Sequence, residues 1–475
     1  MVQTILARRD IIWIELDAEG GGRDRYPMDF EHATGKTGVS LSVSGAASRP
    51  GRGTGTRMTG FRRDAQDSAL LGSARLSQLI RDAAVELPAY VYDIDGMTET
   101  LRSLRSAFGD AAHLVAYAAK ANSAGTVVRA FAAEGAGVDA VSATEVQLAL
   151  ACGIPAHKIV MSGVAKSDAE IDYALAQRLL AIQAESVEEL VRVQERARAT
   201  GHRADVSLRI NPGIEIDTHS HIATGHDAAK FGISQRDLPT AYAAIDGSEG
   251  RLSQVGISVH LGSMMTTAEP YAESARKLCV LALERRRQIS SLRYVDFGGG
   301  FGIDYGAAPS VPPAAFARAA VGALRDAGLS DLMIVVEPGR SLVAPFGVLV
   351  SRIVQTKQSG ERRWVMLDAG MNDLIRPALY GAKHRIELLE EAPQAPEWRV
   401  VGPVCESSDD FGDHALGTNP SGLVAIRDAG AYGFVMASEY NGRALPSEVF
   451  VSGGKVVAVS RSAGAQAWLT RRLSA

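Results

Sequence analysis

From Pro88 onward, short apolar and β-branched runs alternate with Ala-, Leu-, Glu- and Arg-rich stretches of helical character. The runs predict strands at Leu114–Tyr117, Gly137–Val141, Ile159–Ser162, Leu180–Gln183, Asp205–Ile210, Val255–Leu261, Tyr294–Phe297 and Met333–Val336. Strands that alternate with helices imply a parallel sheet. Eight such units in roughly 250 residues match a closed (β/α)8 barrel, whereas an open doubly wound sheet seldom needs eight consecutive repeats. Beyond Pro345 the character changes. Val348–Val354, Trp364–Leu367, Trp398–Val401, Gly422–Arg427, Tyr432–Met436, Glu448–Val451 and Lys455–Ser460 read as short strands separated by turn residues, hence a β domain. The fold class is therefore α/β, a (β/α)8 barrel followed by a C-terminal β domain.

Composition changes this picture only at the N-terminus. Between Asp17 and Thr59 the chain shifts to Gly, Ser, Arg and Thr, with Gly20-Gly21-Gly22 and Arg49-Pro50-Gly51-Arg52-Gly53. Such a stretch buries too little apolar surface to offset its ordering entropy, so 1–57 is expected to be a disordered extension, with Met58 as the expected start of translation. The expected organisation continues with 58–92 packing on the β domain, the barrel over 93–345 and the β domain over 346–475. The 475 residues are 46% hydrophobic and 22% charged, with a net charge of −4. That balance supplies no basic face for nucleic acid and no polybasic patch for a membrane. Apolar stretches fall short of the ~20 residues that cross a bilayer. Three scattered cysteines, Cys152, Cys279 and Cys405, suggest neither disulfides nor a zinc cluster and fit a reducing compartment, so a cytoplasmic enzyme is expected.

Candidate chemistry gathers where a barrel places it, at the C-terminal ends of the strands. Lys120, in Tyr117-Ala118-Ala119-Lys120-Ala121-Asn122-Ser123, closes a buried strand, where an unpaired ammonium is costly unless it is used chemically. Lysine amines shift readily on burial and form Schiff bases. Asp139 lies in the second strand, and Arg209-Ile210-Asn211-Pro212 closes the fifth. Ser258-Val259-His260-Leu261-Gly262-Ser263 closes the sixth, Asp296-Phe297-Gly298-Gly299-Gly300 the seventh, and Glu337-Pro338-Gly339-Arg340-Ser341 the eighth. Loops after strands seven and eight commonly hold phosphate in barrels, and glycines let backbone N–H groups approach an anion. A lysine, a phosphate loop and a strand-end glutamate together point to pyridoxal phosphate, with Glu337 keeping the pyridine nitrogen protonated. His260 alone reads as a core histidine or as a group stacked on a planar cofactor. His219 and His221 have metal-ligand spacing, but no third ligand follows, and no metal is expected.

With these residues the chain resembles the pyridoxal-phosphate decarboxylases that join an alanine-racemase-like barrel to a C-terminal β domain, most closely their diaminopimelate decarboxylase branch. The resemblance covers about Leu70 to Gly464. It rests on Tyr117–Asn122, Ser162-Gly163-Val164-Ala165-Lys166, Arg209–Pro212, Thr224-Gly225 with Lys230-Phe231-Gly232, His260–Ser263, the glycine loop and Glu337–Arg340. In the β domain it adds Asp368–Asn372, Leu374–Tyr380, Gly402–Asp409 and Asp428–Tyr432.

The resemblance implies that Lys120 forms the Schiff base, that His260 stacks on the ring and that Glu337 meets the pyridine nitrogen. Ser263, Gly298, Gly299, Gly300, Pro338, Gly339, Arg340 and Tyr432 would hold the cofactor's phosphate side. Arg340, Arg376, Tyr380 and Tyr432 would bind the retained end of an amino-acid substrate. Cys405, as proton donor, and Glu406, facing the substrate's distal amine, would come from the second subunit of a homodimer. The implied reaction is decarboxylation of meso-2,6-diaminopimelate to L-lysine and carbon dioxide, the last step of lysine biosynthesis. A related decarboxylase acting on ornithine or lysine, carboxynorspermidine or a carrier-bound amino acid is the alternative, and a non-catalytic pyridoxal-phosphate carrier is a third reading, disfavoured by the β domain. Two stretches depart from the family pattern: Ser142-Ala143-Thr144-Glu145 replaces two glycines before the glutamate, and Met264-Met265 follows Ser263 where glutamine is common.

Overall fold

The computed structural model describes residues 60–211, 230–306 and 309–474, together with the backbone of three strands nearer the N-terminus. Those three, Ile5–Arg8, Ile11–Asp17 and Arg23–Asp29, form an antiparallel sheet within a unit of their own, Met1–Thr56. All three lie inside the stretch 1–57 read as disordered, the third paired residue for residue with the β-rich run that starts at Ile11. The glycine- and serine-rich remainder and Met58 fall outside the described residues, as do His219 and His221.

In the main unit eight parallel strands close into a barrel: His113–Ala118, Gly137–Ala140, Ile159–Met161, Ala181–Ala184, Ala204–Ile210, Leu252–Val259, Tyr294–Asp296 and Met333–Val336. The eighth returns to the first through Ile334 opposite His113 and Val336 opposite Val115. Both faces of these strands are buried, so that even the polar residues of Ala204–Ile210 and Leu252–Val259 are largely shielded from solvent. Serines at the strand–helix turns start the outer helices: Ser142 accepts from the Glu145 N–H, Ser167 forms a reciprocal capping box with Glu170, and Ser186 accepts from the Glu189 N–H. The helix Glu269–Arg286 turns Tyr271, Ala275, Leu278, Cys279 and Ala282 inward at helical spacing, onto a stacked pair formed by Phe301 and Phe316 with centroids 4.3 Å apart. Among the described residues no helix is long and apolar enough to cross a membrane.

A nine-stranded sheet follows the barrel. Its centre is a strand from before the barrel, Ala89–Asp93, which is buried throughout, antiparallel to Gly347–Ser359 and parallel to Ser447–Ser452. Three details differ from the sequence reading. Asp410–Ala415, polar enough to read as turn, is a strand on the end of the sheet, held by pairing to Glu397–Val401. Ile386–Leu388 is a further short strand. Tyr432–Met436, read as a strand, is a turn that ends in a 3-10 helix at Phe434–Met436. Tertiary contacts override its β propensity, since the Tyr432 N–H is drawn to the Ala121 carbonyl, with φ at +54°.

Candidate active site

The strand ends converge on a cavity of about 750 Å³ between the barrel mouth and the C-terminal sheet, with Lys120, His260, Glu337, Arg340, Arg376 and Tyr380 among its walls. Lys120 stands in a single 3-10 turn, Ala119–Ala121, directly after the first strand. That turn is clamped from several sides. The Tyr117 hydroxyl donates to the Asn122 carbonyl at 2.8 Å, Asn122 Nδ2 donates to the Gly430 carbonyl at 3.0 Å, and the Tyr432 N–H donates to Ala121. The C-terminal domain therefore fixes the position of a lysine that the barrel supplies.

Lys120 Nζ donates to Asp139 Oδ2 at 2.6 Å, and the other Asp139 oxygen accepts from the Ser162 hydroxyl. Burial would lower the Lys120 ammonium, but the charges of Asp139 and Glu337 outweigh it and hold the group above the ordinary lysine range. Beneath the cavity, Glu337 and Asp296 bring two buried carboxyls together from adjacent strands. Both cannot be charged. Burial and the charge of Glu337 push Asp296 well above the carboxylate range. Burial acts on Glu337 in the same direction, but the neighbouring His260 and Lys120 pull it below that range. Asp296 thus keeps its proton while Glu337 is ionised, and neither Asp296 Oδ2 nor Glu337 Oε1 has a hydrogen-bond partner among the described residues. His260 Nδ1 lies 3.8 Å from Glu337 Oε2 and accepts from the Gly299 N–H at 3.3 Å.

The glycine loop works differently from its sequence reading. The Gly298 N–H donates to Asp296 Oδ1 at 2.9 Å and the Gly299 N–H to His260, so these two amides are engaged within the protein. Absence of a side chain matters for packing. A Cβ at Gly299 would lie 2.0 Å from the Glu337 carbonyl oxygen, and one at Gly300 2.1 Å from that of Gly262. The glycines let the sixth, seventh and eighth strand ends close on one another. Pro338 and Gly339 act likewise: the Pro338 carbonyl accepts from the Ala118 N–H, and a Cβ at Gly339 would press on Ala121 at 2.9 Å.

At the outer end two guanidiniums are buried without an acidic partner among the described residues. Arg340 donates to Ser263 Oγ and to the Tyr305 hydroxyl, each at 3.0 Å, and lies over the Tyr432 ring. Arg376, from the short helix Arg376–Tyr380, lies over the Tyr305 ring at 4.8 Å. Arg209, by contrast, is neutralised by Glu185 at 2.8 Å. Two unneutralised cations in one pocket make it a site for anions. Met264, with φ at +69°, and Tyr432 both line this cavity in a left-handed backbone conformation that costs a non-glycine residue about 1–3 kcal/mol, strain that gathers at functional sites.

Cys405 and Glu406, both singled out from sequence, stand apart from the cavity. Both are exposed and off the cavity wall. Their loop is nonetheless ordered: Asp409 accepts from the Met371 and Val404 N–H groups, each at 2.7 Å, and Glu406 accepts from the Tyr440 hydroxyl at 2.6 Å. Sequence reasoning missed Tyr305, Ser162, Gln183 and His384. Tyr305 and Ser162 sit just beyond barrel strands, where position alone could have flagged them. His384 carries no such signal.

Residues 95–344 match the family model of the pyridoxal-binding domain of pyridoxal-dependent decarboxylases. Diaminopimelate decarboxylase of Neisseria meningitidis serogroup A is 39% identical over 376 residues, 79% of this chain and 92% of that protein. That of Zymomonas mobilis is 39% identical over 373 residues, covering 78% and 88%. The crystal structure of diaminopimelate decarboxylase from Helicobacter pylori, complexed with L-lysine, is similar at a TM-score of 0.78 and 35% identity, covering 84% of this chain and all of that one.

Proposed function

The chain belongs to the diaminopimelate decarboxylase family of pyridoxal-dependent carboxy-lyases, and on that premise we propose that its barrel mouth converts meso-2,6-diaminopimelate to L-lysine and carbon dioxide. The observation that carries this reading is that Lys120 shares one cavity with two guanidiniums, Arg340 and Arg376, that have no acidic partner among the described residues. A substrate that loses one carboxylate and keeps another needs such an outer anion site, and a plain monocarboxylic diamino acid leaves it unpaired.

The residues present fit pyridoxal phosphate: an amine for its aldehyde, an ionised Glu337 with an unsatisfied buried oxygen for its pyridinium, and Arg340 beside Ser263 for its phosphate. Bound there, the cofactor supplies the electron sink for the pair left behind when carbon dioxide departs. Lys120 holds it covalently. Glu337, kept charged by the proton on Asp296, would hold the ring nitrogen protonated, and His260 would cover the ring face. Gly298, Gly299, Gly300, Pro338 and Gly339 shape the phosphate end, and Tyr432 closes over it. Arg340, Arg376 and Tyr380 take the retained carboxylate and so present the other one for loss. The partner subunit's Cys405 delivers the proton to the α-carbon, and the partner subunit's Glu406 meets the distal amine. Support for this shared arrangement is that both residues sit exposed on an ordered loop away from their own cavity. The working unit is then a cytoplasmic homodimer.

Incubation of the purified holoprotein with meso-2,6-diaminopimelate tests the reading. L-lysine and carbon dioxide in equal amounts are expected, and faster carbon dioxide release from L-ornithine or L-lysine overturns it. Replacing Cys405 with Ala is expected to cut turnover sharply without loss of cofactor, and unchanged turnover rejects Cys405 as the proton donor.

A further inference from the structure

Arg376 is a buried guanidinium with no carboxylate to orient it among the described residues, yet it holds one definite direction. The side chain that meets it is His384, itself buried on the segment just after the helix Arg376–Tyr380. His384 Nε2 lies 2.7 Å from Arg376 Nη1, and His384 Nδ1 lies 2.8 Å from the Arg427 carbonyl oxygen. These two neighbours fix the imidazole's proton without ambiguity. A carbonyl only accepts, so Nδ1 carries the hydrogen; a guanidinium only donates, so Nε2 is bare and accepts. The ring is thus the neutral Nδ1–H tautomer, anchored to the backbone beside the strand Leu423–Ile426.

From this geometry we infer that His384 is the positioning residue for Arg376, aiming its guanidinium at the substrate's retained carboxylate and thereby setting the preference for a dicarboxylic substrate. The inference rests on the reading of Arg376 given above. A neutral acceptor suits the task where an acidic one does not. A carboxylate at this place would orient Arg376 equally well but neutralise it, and the substrate would then compete with an internal ion pair. Tyr305 completes the setting: Arg376 lies over its ring at 4.8 Å, His384 meets it edge-on with centroids 5.2 Å apart, and its hydroxyl accepts from Arg340. The ring keeps the two cations apart while each remains free of a counter-charge. Burial and the charge of Arg376 hold the imidazole down at about 3, so the device stays neutral at every pH at which the protein works.

Two substitutions separate positioning from packing, because each keeps one of the two hydrogen bonds. His384→Gln places its amide oxygen where Nε2 was and retains the acceptor for Arg376. His384→Asn places its amide nitrogen near the Nδ1 position and retains only the bond to Arg427. Steady-state kinetics of the holoenzyme on meso-2,6-diaminopimelate, with cofactor absorbance and melting temperature measured alongside, should show KM raised about tenfold or more in His384→Asn with kcat within about twofold. His384→Gln should stay within about threefold of the parent KM. In an Arg376→Ala background His384→Asn should add nothing further. Equal KM values for the two His384 variants, a loss in kcat instead of KM, or additivity with Arg376→Ala overturns the role of His384. An Arg376→Ala variant that itself leaves KM unchanged overturns the reading of Arg376, and the inference with it.

Discussion

Lys120 and Asp139 form an ion pair, Nζ to Oδ2 at 2.6 Å, in which the half-buried lysine meets a fully buried aspartate that is itself held in place by Ser162. An amine must lose its proton before it can attack an aldehyde, and the charge of Asp139 opposes that loss. With the ammonium held above its ordinary range, the reactive fraction at pH 7 is small and grows about tenfold per pH unit. Covalent loading of the apoprotein with pyridoxal phosphate should therefore accelerate as pH rises. In Asp139→Asn the opposing effect of burial takes over and the profile should move to lower pH, with loading at pH 7 faster by about tenfold or more. Stopped-flow absorbance reads the rate, and superimposable profiles contradict the ion pair's role.

Gly299 is required for its missing side chain. In Gly299→Ala the new Cβ would meet the Glu337 carbonyl oxygen at 2.0 Å, and a backbone atom in a barrel strand end has nowhere to go. The cost should be about 1–3 kcal/mol of stability, together with weaker cofactor retention as Glu337 is displaced. Denaturant titration and the absorbance of dialysed holoprotein measure the two effects. A variant with parent stability and full cofactor retention contradicts this account of the loop.

Glu448 links stability to pH. Its carboxyl is buried in the C-terminal sheet against Tyr92, and burial raises it to about 7. The folded state therefore binds this proton more tightly than the unfolded state. The stabilisation is complete at low pH, below the unfolded value near 4.5, and is lost as pH rises through 7. Glu448→Gln, which cannot ionise, should remove much of the fall in melting temperature between about pH 4.5 and 7.5, an effect on the order of 3 kcal/mol at most. An equally steep fall in the variant would show that another group is responsible.

The barrel was legible because its strands are short runs rich in apolar and β-branched residues, which stand out against helical stretches. The register Leu114–Tyr117 read from sequence lies within the observed strand His113–Ala118 for this reason. Elements governed by partners were not legible. Asp410–Ala415 is a strand only because Glu397–Val401 pairs with it, and Tyr432 abandons its β propensity to bond Ala121. In the site, strand-end position led to Lys120, His260, Glu337 and Arg340. Arg376 and Tyr380 rested on family resemblance, since a lone arginine reads as a surface charge, whereas Arg376 is 5% exposed. The contact of His384 with Arg376 runs through a turn at Gly381 with φ of +61°, which no residue spacing announces.

The most direct test is to reduce the holoprotein with borohydride, digest it and sequence the peptide that carries the pyridoxyl group. The account predicts a single modified peptide, with the group on Lys120. Modification of another lysine, such as the buried Lys166, or of none would contradict it.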